Sequence, residues 1–114
     1  MHWIHLTETD QLSQIVAKSQ NKPQVIFKHS SRCSISSVAF SRMQSIKCSC
    51  ESDFYFLDIL SYRSISDKVA EVFKVEHQSP QVLVIMNGEC IFTESHLGIS
   101  AHEIVEQITL SKAC

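Results

Sequence analysis

The sequence predicts an α/β domain with a mixed sheet and helices on both faces. Two observations support this class. Apolar patterns with a helical period alternate with short apolar runs rich in β-branched and aromatic residues. Near the carboxyl end, two such runs flank an Asn-Gly pair, which is typical of a hairpin. Alternating helices and strands followed by an antiparallel pair imply parallel and antiparallel neighbours in one sheet.

The composition fits one compact domain. A chain of 114 residues buries roughly two-thirds of the surface that it exposes when unfolded. It has only two glycines and two prolines, which leaves little room for linkers. We expect a single domain over residues 1–114 and a monomeric protein.

Charge and hydropathy argue against several classes of partner. Ten Lys and Arg oppose twelve Asp and Glu, for a net charge of −2 with no block of like charge. Neither nucleic acid nor a membrane surface is therefore an expected partner. No apolar run is long enough to span a membrane, and the start MHWIHLTETD lacks the pattern of a signal peptide. Together with five irregularly spaced cysteines, which argue against a disulfide framework, these features predict a cytoplasmic protein.

The first half of the chain predicts a helix, a strand and a longer helix. Leu12, Ile15 and Val16 have helical spacing. After a turn at residues 21–23, Gln24–His29 has the composition of a strand. The next predicted helix covers Ser34–Ile46. Its apolar residues are expected on one side: Ile35, Val38, Ala39, Met43 and Ile46.

The second half predicts a strand, a helix, a hairpin and a closing helix. The segment DFYFLDIL, Asp53–Leu60, is too short and apolar for an exposed helix and is a predicted strand. A helical pattern follows and ends near Val75. The runs QVLVIM and ECIFTE flank the Asn-Gly pair at 87–88, which readily takes the positive φ angles of a type I′ turn. Ser100 and Glu103 have the spacing of a capping box at the start of the last helix.

Cys33 lies at the junction between the predicted strand and helix, in the stretch FKHSSRCSIS. Unpaired N–H groups and the helix dipole stabilise negative charge there, which favours the thiolate that attacks disulfides. Lys28 and Arg32 add positive charge nearby in sequence, as does His29 when protonated. The opposing interpretation is a small, half-buried residue at a turn. Pro80, directly before an apolar strand, favours a reactive thiol, because proline there is typical of a turn or of a cis bond beside a site.

Two segments of the chain carry a resemblance to a known family. The run VIFKHSSRCSISSVAF, and the run VEHQ followed by SPQVLVIMNGE, resemble the thioredoxin-fold family of monothiol bacilliredoxins. The pattern of that family is approximately FKHSTTCPISxxAF, then VxHxSPQ and a strand ending in NGE. The matches cover Val25–Phe40 and Val75–Glu89 in the same order and spacing, and the predicted elements fit a thioredoxin-like fold through the whole chain.

The resemblance implies roles for particular positions. Cys33 is the redox-active cysteine, and Pro80 is a cis-proline that faces it across the site. Ser36 occupies the place of the second cysteine in a CxxC motif, which implies monothiol chemistry because serine cannot form a disulfide. Ser34 stands where the family has proline, and Arg32 stands where it has threonine.

The implied reaction is thiol–disulfide exchange. Cys33 removes a small thiol from its mixed disulfide with a client protein, and a second small thiol then releases Cys33. The resemblance implies bacillithiol as co-substrate, no tightly bound cofactor, and S-thiolated proteins as partners. Candidate contacts for the small thiol are the backbone near Ser79 and Pro80 and, for carboxylates, Lys28, His29 and Arg32.

The remaining cysteines and the histidines indicate no further site. Cys48 and Cys50 lack a second Cys or His pair at zinc-site spacing. They also follow Cys33 by about four helical turns, which argues against a resolving role. Cys90 is expected in or near the core, and Cys114 is expected in a mobile tail. We predict no metal site.

The sequence is also consistent with two other functions. The same fold could carry a non-enzymatic binding module in which Cys33 is incidental, because a fold does not determine function. The chain could also be a glutathione-type thiol transferase. Adduct formation on Cys33 with different small disulfides would separate these hypotheses.

Overall fold

The computed structural model describes residues 1–46 and 52–112. Its elements, in chain order, are β1 (Trp3–His5), α1 (Asp10–Lys18), β2 (Gln24–His29), α2 (Ser34–Gln44), β3 (Asp53–Asp58), α3 (Arg63–Phe73), β4 (Gln81–Met86), β5 (Glu89–Ser95), a short 3-10 helix (His96–Gly98) and α4 (Ala101–Lys112). Within the described ranges, no helix is both long enough and apolar enough to cross a membrane.

The strands form one mixed sheet in the order β1-β3-β2-β4-β5. β3 is parallel to β1 and to β2, whereas β4 is antiparallel to β2 and to β5. Lys28 near the end of β2 pairs with Gln81 at the start of β4. The carboxyl ends of β2 and β3 and the amino end of β4 therefore meet at one edge of the sheet.

Each face of the sheet carries its own hydrophobic core, because successive residues of a strand point to opposite faces. On one face, Ile26 and Leu83 pack with buried residues of α1 and α3, such as Ile15 and Val69. On the other face, Phe27 packs with α2 and α4. The predicted arrangement of a mixed sheet between helical layers is confirmed.

Several local predictions are also confirmed. Asn87 and Gly88 both have positive φ angles, 55° and 76°, as the two-residue turn requires. The Ser100 hydroxyl accepts a hydrogen bond from the Glu103 N–H at 3.1 Å, at the start of α4. The predicted strand Gln24–His29 has the bounds of β2.

The exposed side of α2 differs from the prediction. Ile35 is 37% exposed and Val38 is 43% exposed, although both were expected on the buried side. Ala39 and Met43 from the same predicted side are buried as expected, and Ser36 is buried with them. Spacing alone does not distinguish the two sides, because a buried serine interrupts the apolar pattern of the side that faces the sheet.

The amino terminus contains a strand that the sequence pattern did not predict. β1 has only three residues and pairs with β3 at the edge of the sheet. Trp3 in this strand packs on Phe27 and Phe40, with ring centroids 5.9 and 6.0 Å away. Three residues are too few to show an alternation that periodicity can detect. Element ends also differ slightly: α2 ends at Gln44 instead of residue 46, and β3 ends at Asp58 instead of residue 60.

Candidate active site

Cys33 is the N-cap residue of α2. β2 ends at His29, and the chain turns through Ser31 and Arg32 before the helix begins. The Cys33 N–H donates to the Ser30 carbonyl at 3.2 Å, and the Cys33 carbonyl accepts from the Ser37 N–H at 3.2 Å. The backbone of Cys33 is thus fixed, while its thiol is free and partly exposed. Cys33 is thus at the amino-terminal end of α2, the end at which the helix dipole is positive.

Ser36 holds the loop before Cys33 against the first turn of α2. Its side chain is buried, and its Oγ accepts a hydrogen bond from the Ser30 N–H at 3.0 Å. The same Oγ lies 2.8 Å from Nδ1 of His29. A neutral imidazole with its proton on Nε2 can accept the Ser36 hydroxyl hydrogen at Nδ1. Ser36 therefore connects the end of β2, the loop and the helix.

His29 lies against aromatic rings on the α2 face of the sheet. The ring centroids of Phe27, Phe40 and Phe56 are 5.8, 5.4 and 5.3 Å from that of His29. Burial lowers the pKa of His29 below its usual 6.5, while Asp58 partly opposes that effect. The imidazole is therefore largely neutral at pH 7. His29 therefore adds positive charge near Cys33 only at pH values below its lowered pKa.

Lys28 points to the opposite face of the sheet, because it neighbours His29 on the same strand. Its side chain is fully buried. Its Nζ lies 3.1 Å from the Ser66 carbonyl oxygen of α3 and 3.1 Å from His77 Nδ1. The expectation that Lys28 contacts a carboxylate of the small thiol is wrong, since its ammonium group is inaccessible and is already bonded within the α3 side of the protein.

The Ser79-Pro80 peptide bond is cis, as predicted. Pro80 is buried, and its carbonyl accepts a hydrogen bond from the His96 N–H at 3.0 Å. The pairing of Lys28 with Gln81 puts Pro80 at the edge of the sheet where the Cys33 loop leaves β2. The Ser79 hydroxyl is buried and has no hydrogen-bond partner among the described residues.

The family model described as monothiol bacilliredoxin BrxC matches residues 4–104. The chain belongs to the monothiol bacilliredoxin family. Its membership makes this bacilliredoxin a thiol oxidoreductase in the general sense.

Solved structures agree with the thioredoxin-like fold. A protein described as an inferred oxidoreductase with a thioredoxin fold is 30% identical, with a TM-score of 0.79 and 90% coverage of both chains. The thioredoxin of Malassezia sympodialis is 18% identical, covers 97% of this chain and 96% of its own, and has a TM-score of 0.72. The reduced thioredoxin pre-protein of Schistosoma mansoni is 15% identical, with coverages of 96% and 98% and a TM-score of 0.71. The two thioredoxins share the fold with this bacilliredoxin.

The exposed residues beside Cys33 in the chain include one cation and two apolar side chains. Arg32 immediately precedes Cys33 and is exposed. Ile35 and Val38 of α2 are also exposed. Of the three basic residues that the sequence suggested beside Cys33, Arg32 alone is exposed, because Lys28 is buried and His29 is half-buried.

Cys90 does not resemble a second reactive thiol. It is half-buried in β5 and packs against the core on the α1 and α3 face, as expected for a near-core residue. Its Sγ donates to the Phe92 carbonyl at 3.3 Å, and burial raises its pKa. The protonated thiol is the unreactive form. The predictions about Cys48, Cys50 and Cys114 concern positions outside the described residues.

Two residues near the site were not singled out from the sequence for the contacts that they make. Ser66 of α3 is buried, and its Oγ lies 3.2 Å from His77 Nδ1. Gln81 is also buried, and its side-chain amide donates to the Glu76 carbonyl at 3.0 Å. The VEHQ segment already marked His77 through the family pattern, but no local signal relates it to Lys28 or to Ser66.

Proposed function

We propose that this protein removes bacillithiol, or a similar small thiol, from protein mixed disulfides by a monothiol mechanism at Cys33. Beyond the general thiol chemistry of the family, the proposal names one reacting residue and one class of substrate. It is supported mainly by one observation: Cys33 is a free, partly exposed thiol at the N-cap of α2, with a buried serine at the position of a second cysteine.

In the first step, the Cys33 thiolate attacks the sulfur of the small thiol in a mixed disulfide with a client protein. A disulfide forms between Cys33 and the small thiol, the original disulfide breaks, and the client cysteine leaves as a thiolate that takes a proton from water. Two electrons pass to the client cysteine, which is reduced, while Cys33 is oxidised to the mixed disulfide. The N–H groups of the first turn of α2 stabilise the attacking thiolate.

In the second step, a second molecule of the small thiol attacks the sulfur that is bound to Cys33. The products are the symmetrical small disulfide and the Cys33 thiolate. Ser36 cannot replace this molecule, because a hydroxyl forms no disulfide, and its oxygen is held by Ser30 and His29. Among the described residues, Cys90 is protected by burial on the other face of the sheet.

Bacillithiol is the proposed small thiol because the family is that of bacilliredoxins. Arg32 is the proposed partner for its carboxylates, since this guanidinium is exposed beside Cys33. The backbone at Ser79 and Pro80 is the proposed surface against which the small thiol lies. S-thiolated proteins are the proposed clients of a monomeric, cytoplasmic enzyme.

The decisive experiment is mass spectrometry of the reduced protein after exposure to oxidised bacillithiol and, separately, to oxidised glutathione. We expect one bacillithiol adduct per chain, on Cys33, formed faster than the glutathione adduct. The adduct should persist until a second thiol is added. Cys33→Ser should abolish it, whereas Cys90→Ser, the matched change at a half-buried cysteine of β5, should leave it intact.

The alternatives give different results in the same experiment. Faster modification by oxidised glutathione would indicate a glutathione-type thiol transferase. No adduct on Cys33 with either disulfide would indicate a binding module in which the cysteine is incidental. Release of the small thiol without a second thiol would refute the monothiol cycle and identify another cysteine as the resolving residue.

A further inference from the structure

A fully buried lysine joins three segments around the site. Lys28 is in β2, its Nζ lies 3.1 Å from the Ser66 carbonyl oxygen of α3, and it also lies 3.1 Å from Nδ1 of His77. His77 belongs to the segment between α3 and β4, three residues before Pro80. The Lys28 side chain thus connects β2, which precedes the Cys33 loop, with the segment that contains His77 and precedes Pro80.

A second buried polar side chain supports the same segment. Gln81 pairs with Lys28 across the sheet, accepts from the Gln78 N–H at 3.3 Å, and donates to the Glu76 carbonyl at 3.0 Å. Residues 76–78 therefore have contacts from two neighbouring strands, at the edge of the sheet where the Cys33 loop begins.

Stability alone does not explain a lysine at this position. Removing an ammonium group from water is costly, and apolar replacements of buried charges are often neutral or stabilising. Burial lowers the pKa of Lys28 to about 8, while Asp67 of α3 opposes this effect and Arg63 adds to it. A buried ammonium group that carries such a cost is a candidate for a functional contact.

We propose that Lys28, acting through His77, is a positioning residue that holds the segment before Ser79 and Pro80 in register with the Cys33 loop. This inference rests on the proposed function, because the positioned surface is the one proposed to receive the small thiol. In this proposal Lys28 does not touch the substrate. It affects the reaction only by positioning the segment that leads from His77 to Pro80.

The protonation states agree with this contact. Burial, with the nearby charges of Lys28 and Arg63, lowers the pKa of His77, although Asp67 partly opposes this. At neutral pH the imidazole is therefore uncharged, and its Nδ1 accepts a hydrogen bond while Nε2 carries the proton. The Ser66 hydroxyl, 3.2 Å from the same Nδ1, favours the same tautomer.

The test compares Lys28→Met with Lys68→Met, the same change at an exposed lysine of α3. Three quantities are measured in each intact variant: the exchange rate with oxidised bacillithiol, the alkylation rate of Cys33 by iodoacetamide, and amide hydrogen exchange. For Lys28→Met we expect roughly a tenfold loss in exchange with bacillithiol disulfide, since small misplacements are costly in rate. The loss should arise mainly as a higher KM, with alkylation unchanged. The Gln78 amide should exchange faster, while the Cys33 and Ser37 amides should not.

His77 provides a second pair of variants. His77→Gln retains an acceptor for Lys28 and should keep most of the activity, whereas His77→Leu should resemble Lys28→Met. The double variant, Lys28→Met with His77→Leu, should be no slower than either single variant, because both changes break one contact.

Each outcome decides for or against the proposal. Wild-type exchange in Lys28→Met, unchanged protection of Gln78, or additive losses in the double variant would overturn it. A parallel loss of exchange and alkylation would assign Lys28 to the general integrity of the site and would also overturn it. If the wild-type protein forms no Cys33 adduct at all, the proposed function itself is refuted. If the wild-type protein forms the adduct and Lys28→Met forms it at the same rate, only the role of Lys28 is refuted.

Discussion

The hydroxyl of Ser36 should contribute more to stability than any exposed serine in α2. Ser36→Ala removes the acceptor for the Ser30 N–H and the partner of His29 Nδ1. Ser30 is only 8% exposed, so water cannot easily replace the lost acceptor. His29 is less buried, and water can satisfy its ring nitrogen more readily.

The expected size of the effect follows from these two contacts. An unsatisfied buried N–H costs roughly 1–3 kcal/mol, and an ordinary hydrogen bond contributes about 1 kcal/mol. We therefore expect the free energy of unfolding to fall by roughly 2–3 kcal/mol. With an unfolding entropy of about 2.1 cal/mol/K per residue over 114 residues, the midpoint temperature should fall by roughly 8–12 °C.

Urea and thermal denaturation, followed by circular dichroism, measure the difference. The matched control is Ser37→Ala, the next residue of the same helix, whose side chain is exposed. That change should alter the free energy of unfolding by no more than about 0.5 kcal/mol. Equal losses in the two variants, or no loss in Ser36→Ala, would refute the assigned role of the Ser36 hydroxyl.

Three further predictions concern neighbouring groups. Ser36→Cys should form an internal disulfide with Cys33 and expel the small thiol, because the two residues are three positions apart at the start of a helix. Intact-mass spectrometry measures how long the Cys33 adduct persists. An adduct as persistent as that of the wild type would contradict this prediction. The folded pKa of Lys28, about 8, is below the usual 10.5, so the unfolded chain keeps its proton longer as pH rises. The free energy of unfolding of wild type relative to Lys28→Met, from urea titrations, should therefore increase by roughly 3 kcal/mol between pH 8 and 10.5, and a flat difference would be inconsistent with the buried ammonium. Because the pKa of His29 is also lowered, the unfolded chain binds that proton first as pH falls below 6.5. Stability should decrease there, and the decrease between pH 7 and pH 5 should be smaller in His29→Gln than in wild type.

The placement of Cys33 was predictable because its causes are local. The strand ending at His29 and the helix beginning at Ser34 follow from apolar periodicity over a few residues. The Asn-Gly turn at 87–88 and the Ser100 cap likewise depend on side chains within three residues of the backbone groups that they affect. Family patterns in two short segments then indicated the thioredoxin-like fold and the cis bond at Pro80.

The inward side of α2 was less predictable because a polar residue lies on it. The apolar pattern correctly put Ala39 and Met43 on the buried side, but it also put Ile35 and Val38 there, and the fold leaves those two exposed. Ser36 is buried because its hydroxyl finds two partners, the Ser30 N–H and the His29 ring. Those partners come from the end of β2, so the burial of this serine follows from packing and not from its own hydropathy.

By itself, the sequence determined the order of the main helices and strands, the position of Cys33 at a helix start, and the absence of a second thiol three residues later. Only the tertiary structure decided how the basic residues around it act. Lys28 and His29 are adjacent in sequence, yet they point to opposite faces, and the face that meets α2 depends on how the chain crosses the sheet. The partners of Lys28 lie 38 and 49 residues away, in Ser66 and His77, a separation at which local periodicity carries no information.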